Sequence, residues 1–431
     1  MDHNINRRPR RLATTALALG AAALLALTAC APPSASNNNN GEPGGDDSVF
    51  TVGVIASTTG FVAAIGADMN NGWDLFWEQN GTKVGDFEIK TIVEDDASDS
   101  TTALTKARRL VEEENVDVIV GPVLANNSLA VADYLAQEGV ANLSQTAADD
   151  LTQRRASDTL LRTGSLAASQ MTFPAGQYAY DEGYRTAATI CVDYAFGWES
   201  CGGFASAFLD AGGTIAKQLW YPGDATDLSS YVSQLAALDV DVVFAGTAGG
   251  TDSSNFVRSA KDFGLLDSVP IINNCCTTDQ FILQDVGDMA LGLTSVSMFA
   301  EGSDDPTTAD FVSAYEEKFG ALPSSYALGM YATAQLVAAT LEGASAKPTG
   351  ADFISAAKAA DLSGWVWGDA TFDDQGNMVG PVYVRTVAER EDGTLWNAPI
   401  KTYDAVSQFW TYDPAAYLAN PPFSQEFTSQ R

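Results

Sequence analysis

The chain has 431 residues, with 55 Asp and Glu against 23 Lys and Arg and a formal net charge of −32. So acidic a chain argues against nucleic-acid binding, which rests on Lys and Arg neutralising phosphates. Its one histidine is His3, so the rest of the chain has no Ser-His-Asp or Cys-His catalysis and no histidine metal site.

The first thirty residues run from a basic front (Arg7, Arg8, Arg10 and Arg11) through an apolar Ala/Leu stretch at 12–27 to Thr28-Ala29-Cys30. This is the layout of an export signal, and the stretch is shorter than the about 20 residues of a membrane-spanning helix. Leu27-Thr28-Ala29-Cys30 resembles the bacterial lipobox. That resemblance implies a signal peptide at 1–29, a lipid on Cys30 and anchoring to the outer face of the cell membrane. Residues 30–47, rich in Pro, Gly, Ser and Asn, have almost nothing to bury and read as a flexible tether. Removing the signal leaves 19 basic and 54 acidic residues, because the signal holds four Arg and one Asp.

The body from residue 48 is long enough for more than one domain. Strands at 50–57, 87–96, 116–122 and 141–146 alternate with helices at 66–81, 101–115 and 127–139. That order predicts a parallel, doubly wound sheet. The pattern then restarts, with strands at 185–193, 214–221, 240–246 and 269–276 and helices at 197–213, 228–238 and 253–264. Helices return at 308–320 and 326–344, and the end is β-like. Such sheets bind ligands outside the carboxyl ends of their strands. Two crevices that face each other would hold a ligand between the units.

Four cysteines lie in the body: Cys191, Cys201, Cys275 and Cys276. In an exported chain they suggest disulfides. Cys191 in a strand and Cys201 early in the next helix can bridge. The neighbours Cys275 and Cys276 stay unresolved, and free buried thiols are the alternative. The acidic clusters Glu94-Asp95-Asp96, Asp149-Asp150, Asp304-Asp305 and Asp373-Asp374 sit mostly on turns and strand ends. Solvated charge explains them better than the paired acids of a glycoside hydrolase.

VGVIASTTGFVAAIGADMNNGWDLFWEQNG, VDVIVGPVLANNSLAVADYLAQEGVANLS, DYAFGWES and TFDDQGNMVGPVYV occur in this order along the chain. Together they resemble the periplasmic leucine/isoleucine/valine-type family of ABC-transporter substrate-binding proteins. The resemblance implies an α/β fold of two doubly wound lobes joined by a three-strand hinge (periplasmic binding protein-like, type I). Lobe 1 would comprise 48–165 plus about 299–376, lobe 2 would comprise 166–298 plus about 377–415, and 416–431 would be a C-terminal tail. The hinge crossings fall near Arg162–Ser169, Val296–Glu301 and Asp373–Val382. The implied activity is capture of a small organic solute (amino acid, amide or carboxylate) and delivery to an ABC permease, by a monomer that is not an enzyme. No catalytic residue, cofactor or metal is implied. A sensor of the same fold, signalling to a membrane partner, is the alternative.

By the same resemblance, ligand-binding residues come from loops at strand ends. The Gly-Pro loop offers Ala125, Asn126, Asn127 and Ser128, where backbone N–H groups can seat a carboxylate; Ser128 is alternatively a helix cap. The next strand end offers Gln145 and Thr146. The second unit offers Phe196 (or a plain core Phe), Thr247, Asp252, Asn274 and Cys275. The pattern of amino-acid binders is broken in three places. Their acidic residue falls on Asn274-Cys275-Cys276, their loop serine on Ala125, and their first-loop aromatic on Ile65. A buried ammonium without a countercharge costs several kcal/mol. Asp252 is either that countercharge or a cap of the next helix. A carboxylate without an amine, an aromatic acid among them, fits these departures.

Overall fold

The computed structural model describes residues 47–223 and 225–430. The expected signal peptide, Cys30 and the tether up to residue 46 lie outside the described residues. No helix among the described residues is long and apolar enough to cross a membrane.

In the first lobe, strands β1 (Val49–Ala56), β2 (Lys83–Val84), β3 (Phe87–Asp95), β4 (Val118–Val120), β5 (Ala141–Ser144) and β6 (Leu160–Arg162) form one sheet in the order β2-β3-β1-β4-β5-β6. All pairings are parallel except the edge pair β2-β3. Helices α1 (Ala63–Asn80), α2 (Ser100–Glu112), α3 (Ala125–Glu138) and α4 (Asp149–Gln153) connect these strands. Phe50, Val52 and Val54 of β1 are all fully buried, because helices cover both faces of a parallel sheet.

The second lobe begins with α5 (Ala168–Asp181). It continues through β7 (Thr186–Val192), α6 (Ala195–Asp210), β8 (Thr214–Tyr221), α7 (Ser229–Ala236), β9 (Val242–Gly246), α8 (Thr251–Asp262) and α9 (Leu265–Ser268). Then come β10 (Ile271–Asn273), α10 (Gln280–Val286) and β11 (Thr294–Ser297). Next, α11 (Pro306–Phe319), α12 (Ser325–Leu341) and α13 (Gly350–Ala359) return to the first lobe, where α12 packs along α1. The short strand β12 (Thr371–Phe372) leads into β13 (Met378–Glu389) and β14 (Leu395–Val406), and α14 (Pro414–Ala419) follows. The second sheet runs β12-β13-β11-β10-β9-β7-β8, with β14 on the far side of β13. Read from the first strand of each lobe, both parallel cores have the order 2-1-3-4-5. Each therefore has a switch point, between β1 and β4 and between β7 and β9.

Between the lobes the chain crosses three times, after β6, after β11 and at β12–β13. Buried Arg162 ties two of these crossings together. Its Nε donates to Asn377 Oδ1 at 2.7 Å, and its guanidinium also reaches the carbonyls of Thr146 and Ala148. In the second lobe a disulfide joins Cys191 of β7 to Cys201 of α6, with Cα atoms 6.2 Å apart. It pins α6 against the strand from which α6 departs. Cys275 and Cys276 are free and buried.

Candidate functional site

The two switch points face each other and enclose one cavity. Lobe 1 contributes Ile65 from the start of α1, and Val123, Leu124 and Ala125 from the β4–α3 turn. Lobe 2 contributes Tyr194 and Phe196 from the β7–α6 turn and Ala248 after β9. Gln145, Thr146 and Ala147 line the wall beyond β5, and Cys275 lines the wall beyond β10. The crossings add Ser165 and Met298, α5 adds Met171, and Ser325 and Tyr326 enter from the start of α12. The volume is about 40 Å³, room for about three water molecules. A wider vestibule of about 390 Å³ adjoins it, lined by Phe61, Ser98, Asp99, Ser100, Asn126, Asn127, Asp193 and Gly223. Leu124 and Tyr194 border both spaces.

None of the side chains lining the inner cavity is charged. The field inside comes from backbone. The N-cap residues of α3 and α6, Leu124 and Tyr194, provide no side-chain cap. The first N–H groups of both helices therefore point out unsatisfied by a cap, and the positive ends of two macrodipoles meet at the cavity. Two glycines make the close approaches possible. A Cβ on Gly197 would lie 1.8 Å from the Val192 carbonyl oxygen, so only glycine lets α6 start directly above β7 with Phe196 turned inward. A Cβ on Gly164 would lie 1.7 Å from Gln145 Oε1.

Gln145 is fixed from behind, donating from Nε2 to Thr333 Oγ1 at 2.9 Å and to Thr163 Oγ1 at 3.2 Å. Tyr326 shares a hydrogen bond with Cys276 Sγ at 3.2 Å. Ser325 donates to Asp279 Oδ2 of the second lobe at 2.6 Å. Burial holds the phenols of Tyr194 and Tyr326 well above their ordinary pKa. Both therefore offer neutral O–H groups.

The structure brings Ala125, Gln145, Thr146, Phe196 and Cys275 together on the inner wall. The other expected ligand residues lie elsewhere. Asn126 is exposed in the vestibule. Asn127 also borders it, but its amide is held by Asp96 at 2.8 Å and Ser100 at 3.0 Å. Ser128 is inside the first turn of α3 and donates to the Pro122 carbonyl at 2.8 Å, so it is neither ligand seat nor N-cap. Thr247 is buried between Ser253 and Thr277, with Oγ–Oγ distances of 2.6 and 2.8 Å. Asn274 stitches the two strand-end loops by donating to the Thr247 carbonyl at 2.9 Å. Asp252 is consumed by the Tyr221 hydroxyl and by the Ala248 and Gly250 amides, which leaves it unavailable to an ammonium. Apart from the exposed Asn126, each of these buried polar groups has found a partner within its own lobe, as burial demands.

The sequence does not mark Val123, Ser165, Met171, Tyr194, Met298, Ser325 or Tyr326 as site residues. Ser165 and Met298 lie on crossings already placed near 162–169 and 296–301, which was a usable signal. Tyr326 carried none, because only the docking of α12 brings it to the cleft.

A family model described as periplasmic binding protein matches residues 49–394. Leu/Ile/Val-binding protein homolog 6 of Brucella abortus is 26% identical over 363 residues, covering 83% of this chain and 92% of its own. Among solved structures, an ABC transporter substrate-binding protein from Sphaerobacter thermophilus is 30% identical with a TM-score of 0.78, covering 84% of this chain and 99% of its own. A solute-binding protein of an ABC transporter from Rhodopseudomonas palustris BisB5, in complex with 3,4-dihydroxybenzoic acid, is 25% identical with a TM-score of 0.76 and covers 84% and 99%. These relatives are binding proteins, not enzymes. With two doubly wound lobes, three crossings and a match from residue 49 to 394, the chain belongs to the periplasmic binding protein family, in the type I fold of the leucine/isoleucine/valine-binding proteins.

Proposed function

We propose that this protein is the solute-binding component of an ABC importer and that its ligand is a small aromatic carboxylate without an amine. The observation that carries this reading is the uncharged inner cavity set between the N-termini of α3 and α6. Helix N-termini and free N–H groups favour a carboxylate there. An ammonium would be buried with no countercharge, at a cost of several kcal/mol. The rings of Tyr194 and Phe196 suit an aromatic body, and Met171 and Met298 can adjust to its outline. The 3,4-dihydroxybenzoic acid bound by the Rhodopseudomonas palustris neighbour belongs to this chemical class.

A ligand held between the lobes enters only when the lobes part. Lobe 1 (48–165 with about 299–376) and lobe 2 (166–298 with about 377–415) would rotate about the three crossings, and the closed form would present one composite surface to the permease. Cleavage after residue 29 and lipidation of Cys30 would hold the monomer at the outer face of the membrane, with 30–47 as leash. The test is thermal unfolding of a chain beginning at Asp47 against benzoates, branched-chain amino acids, amides and short peptides. A ligand at 100 times its Kd adds about 2.7 kcal/mol, a shift of a few degrees. Stabilisation by benzoates alone supports the reading; stabilisation by amino acids alone overturns the ligand class.

A further inference from the structure

Cys275 and Cys276 begin a 3-10 turn at Cys275–Thr278, and their Sγ atoms lie 3.3 Å apart. Cys275 lines the inner cavity. Cys276 touches the Tyr326 hydroxyl of α12, in the opposite lobe. One thiol thus faces the ligand space and the other bonds across the cleft. The same lobe contains the Cys191–Cys201 disulfide, a bond that persists in oxidising compartments. The Cys275 carbonyl accepts from Arg385 Nη2 at 2.9 Å, and Arg385 Nη1 donates at 2.6 Å to Phe299 on the second crossing. A change in the Cys275–Cys276 peptide therefore reaches both the cavity wall and the hinge.

We propose that Cys275 and Cys276 are a redox-modified dithiol, which a low-molecular-weight disulfide converts to a vicinal disulfide, weakening ligand capture. The covalent step stands by itself; its effect on capture rests on the function proposed above. In that step, the thiolate of one cysteine attacks a sulfur of oxidised glutathione, forming a mixed disulfide and expelling one glutathione thiolate. The second cysteine loses its proton and attacks the protein sulfur of the mixed disulfide, expelling the other glutathione. One protein S–S bond replaces two S–H bonds, two electrons reduce the oxidant, and the two protons end on the two glutathione thiols. The ring between adjacent residues twists their shared peptide, which moves the Cys275 wall and its Arg385 contact. In the closed form the Cys275 hydrogen bond and burial hold the Cys276 thiol well above its ordinary pKa. Thiols in that state react slowly. Parting the lobes breaks the Tyr326 contact, so a bound ligand shields the pair.

The experiment treats the full soluble chain with oxidised glutathione, then alkylates it under denaturing conditions and measures intact mass. Wild type should lose two hydrogens and resist alkylation at Cys275 and Cys276, whereas Cys276→Ser should retain one glutathione. Affinity for 3,4-dihydroxybenzoate, read by calorimetry, should fall about tenfold or more and recover with reductant. Thiols that stay alkylatable, or a mixed disulfide persisting in wild type, overturn the proposal. So does a completed ring that leaves affinity unchanged. If the ring forms in a protein that binds no benzoate even when reduced, the modification stands and the proposed ligand falls.

Discussion

The Asp252 carboxylate accepts the Tyr221 hydroxyl at 2.7 Å, and the same carboxylate also receives the Ala248 and Gly250 amides. It is the acid that the sequence offers in place of the missing amine-binding countercharge, yet these bonds run inside its own lobe. Asp252→Ala should therefore cost stability, about 3 kcal/mol for a buried charged acceptor with several donors. The bound ligand class should not change. Denaturant titration and calorimetry on one sample separate the two effects.

Phe196 is turned into the cavity by the tight start of α6 at Gly197. Phe196→Ala should weaken an aromatic acid by about 1.5 kcal/mol, roughly tenfold in Kd. Phe196→Leu should restore part of the loss through packing area but not ring geometry. Calorimetry against 4-hydroxybenzoate reads both.

Asp279 is buried, and burial is the largest influence on it, pushing its carboxyl up from 3.8 to about 7 against the opposing charge of Arg385. The folded protein therefore holds this proton more tightly than the unfolded chain. Its contribution to stability is complete below about pH 4 and is lost as pH rises through about 7, by about 4 kcal/mol. Asp279→Asn keeps an acceptor for Ser325 and removes the titration. The wild-type stability, measured relative to the variant by urea unfolding, should fall between pH 4 and 7; a constant difference would contradict this.

The Cys191–Cys201 bridge closes a short loop, with a sequence separation of 10. A loop of that size is worth about 3 kcal/mol. The double variant Cys191→Ala/Cys201→Ala should lose about that much in chemical denaturation. The loosened β7–α6 turn should also weaken ligand binding through Phe196.

The alternation of apolar runs with amphipathic helices made the two lobes legible, and β8 matches the expected 214–221 residue for residue. Helix α5 was hidden because it contains Pro174 and is buried on most of its surface, so it has no clear polar stripe. Strand β6, only Leu160–Arg162, is too short to register as a period. At the site, loops after β4, β5 and β7 could be read because position on a doubly wound sheet determines what faces the crevice. Asn127, Ser128, Thr247 and Asn274 lie off the inner wall for one shared reason. Small polar side chains at strand ends also serve to satisfy backbone and neighbouring loops, and sequence does not distinguish the two uses. Tyr326 depended on α12 lying against α1, where Gly72 lets the Ala327 carbonyl come within 2.0 Å of a would-be Cβ.

The most direct test compares, by isothermal titration at one pH, 3,4-dihydroxybenzoate, its methyl ester and leucine. An uncharged cavity between helix N-termini predicts that the free acid binds, that the ester loses at least about tenfold with its charge, and that leucine does not bind. Leucine binding as tightly as the acid would contradict the account, because it would require a countercharge that this cavity lacks.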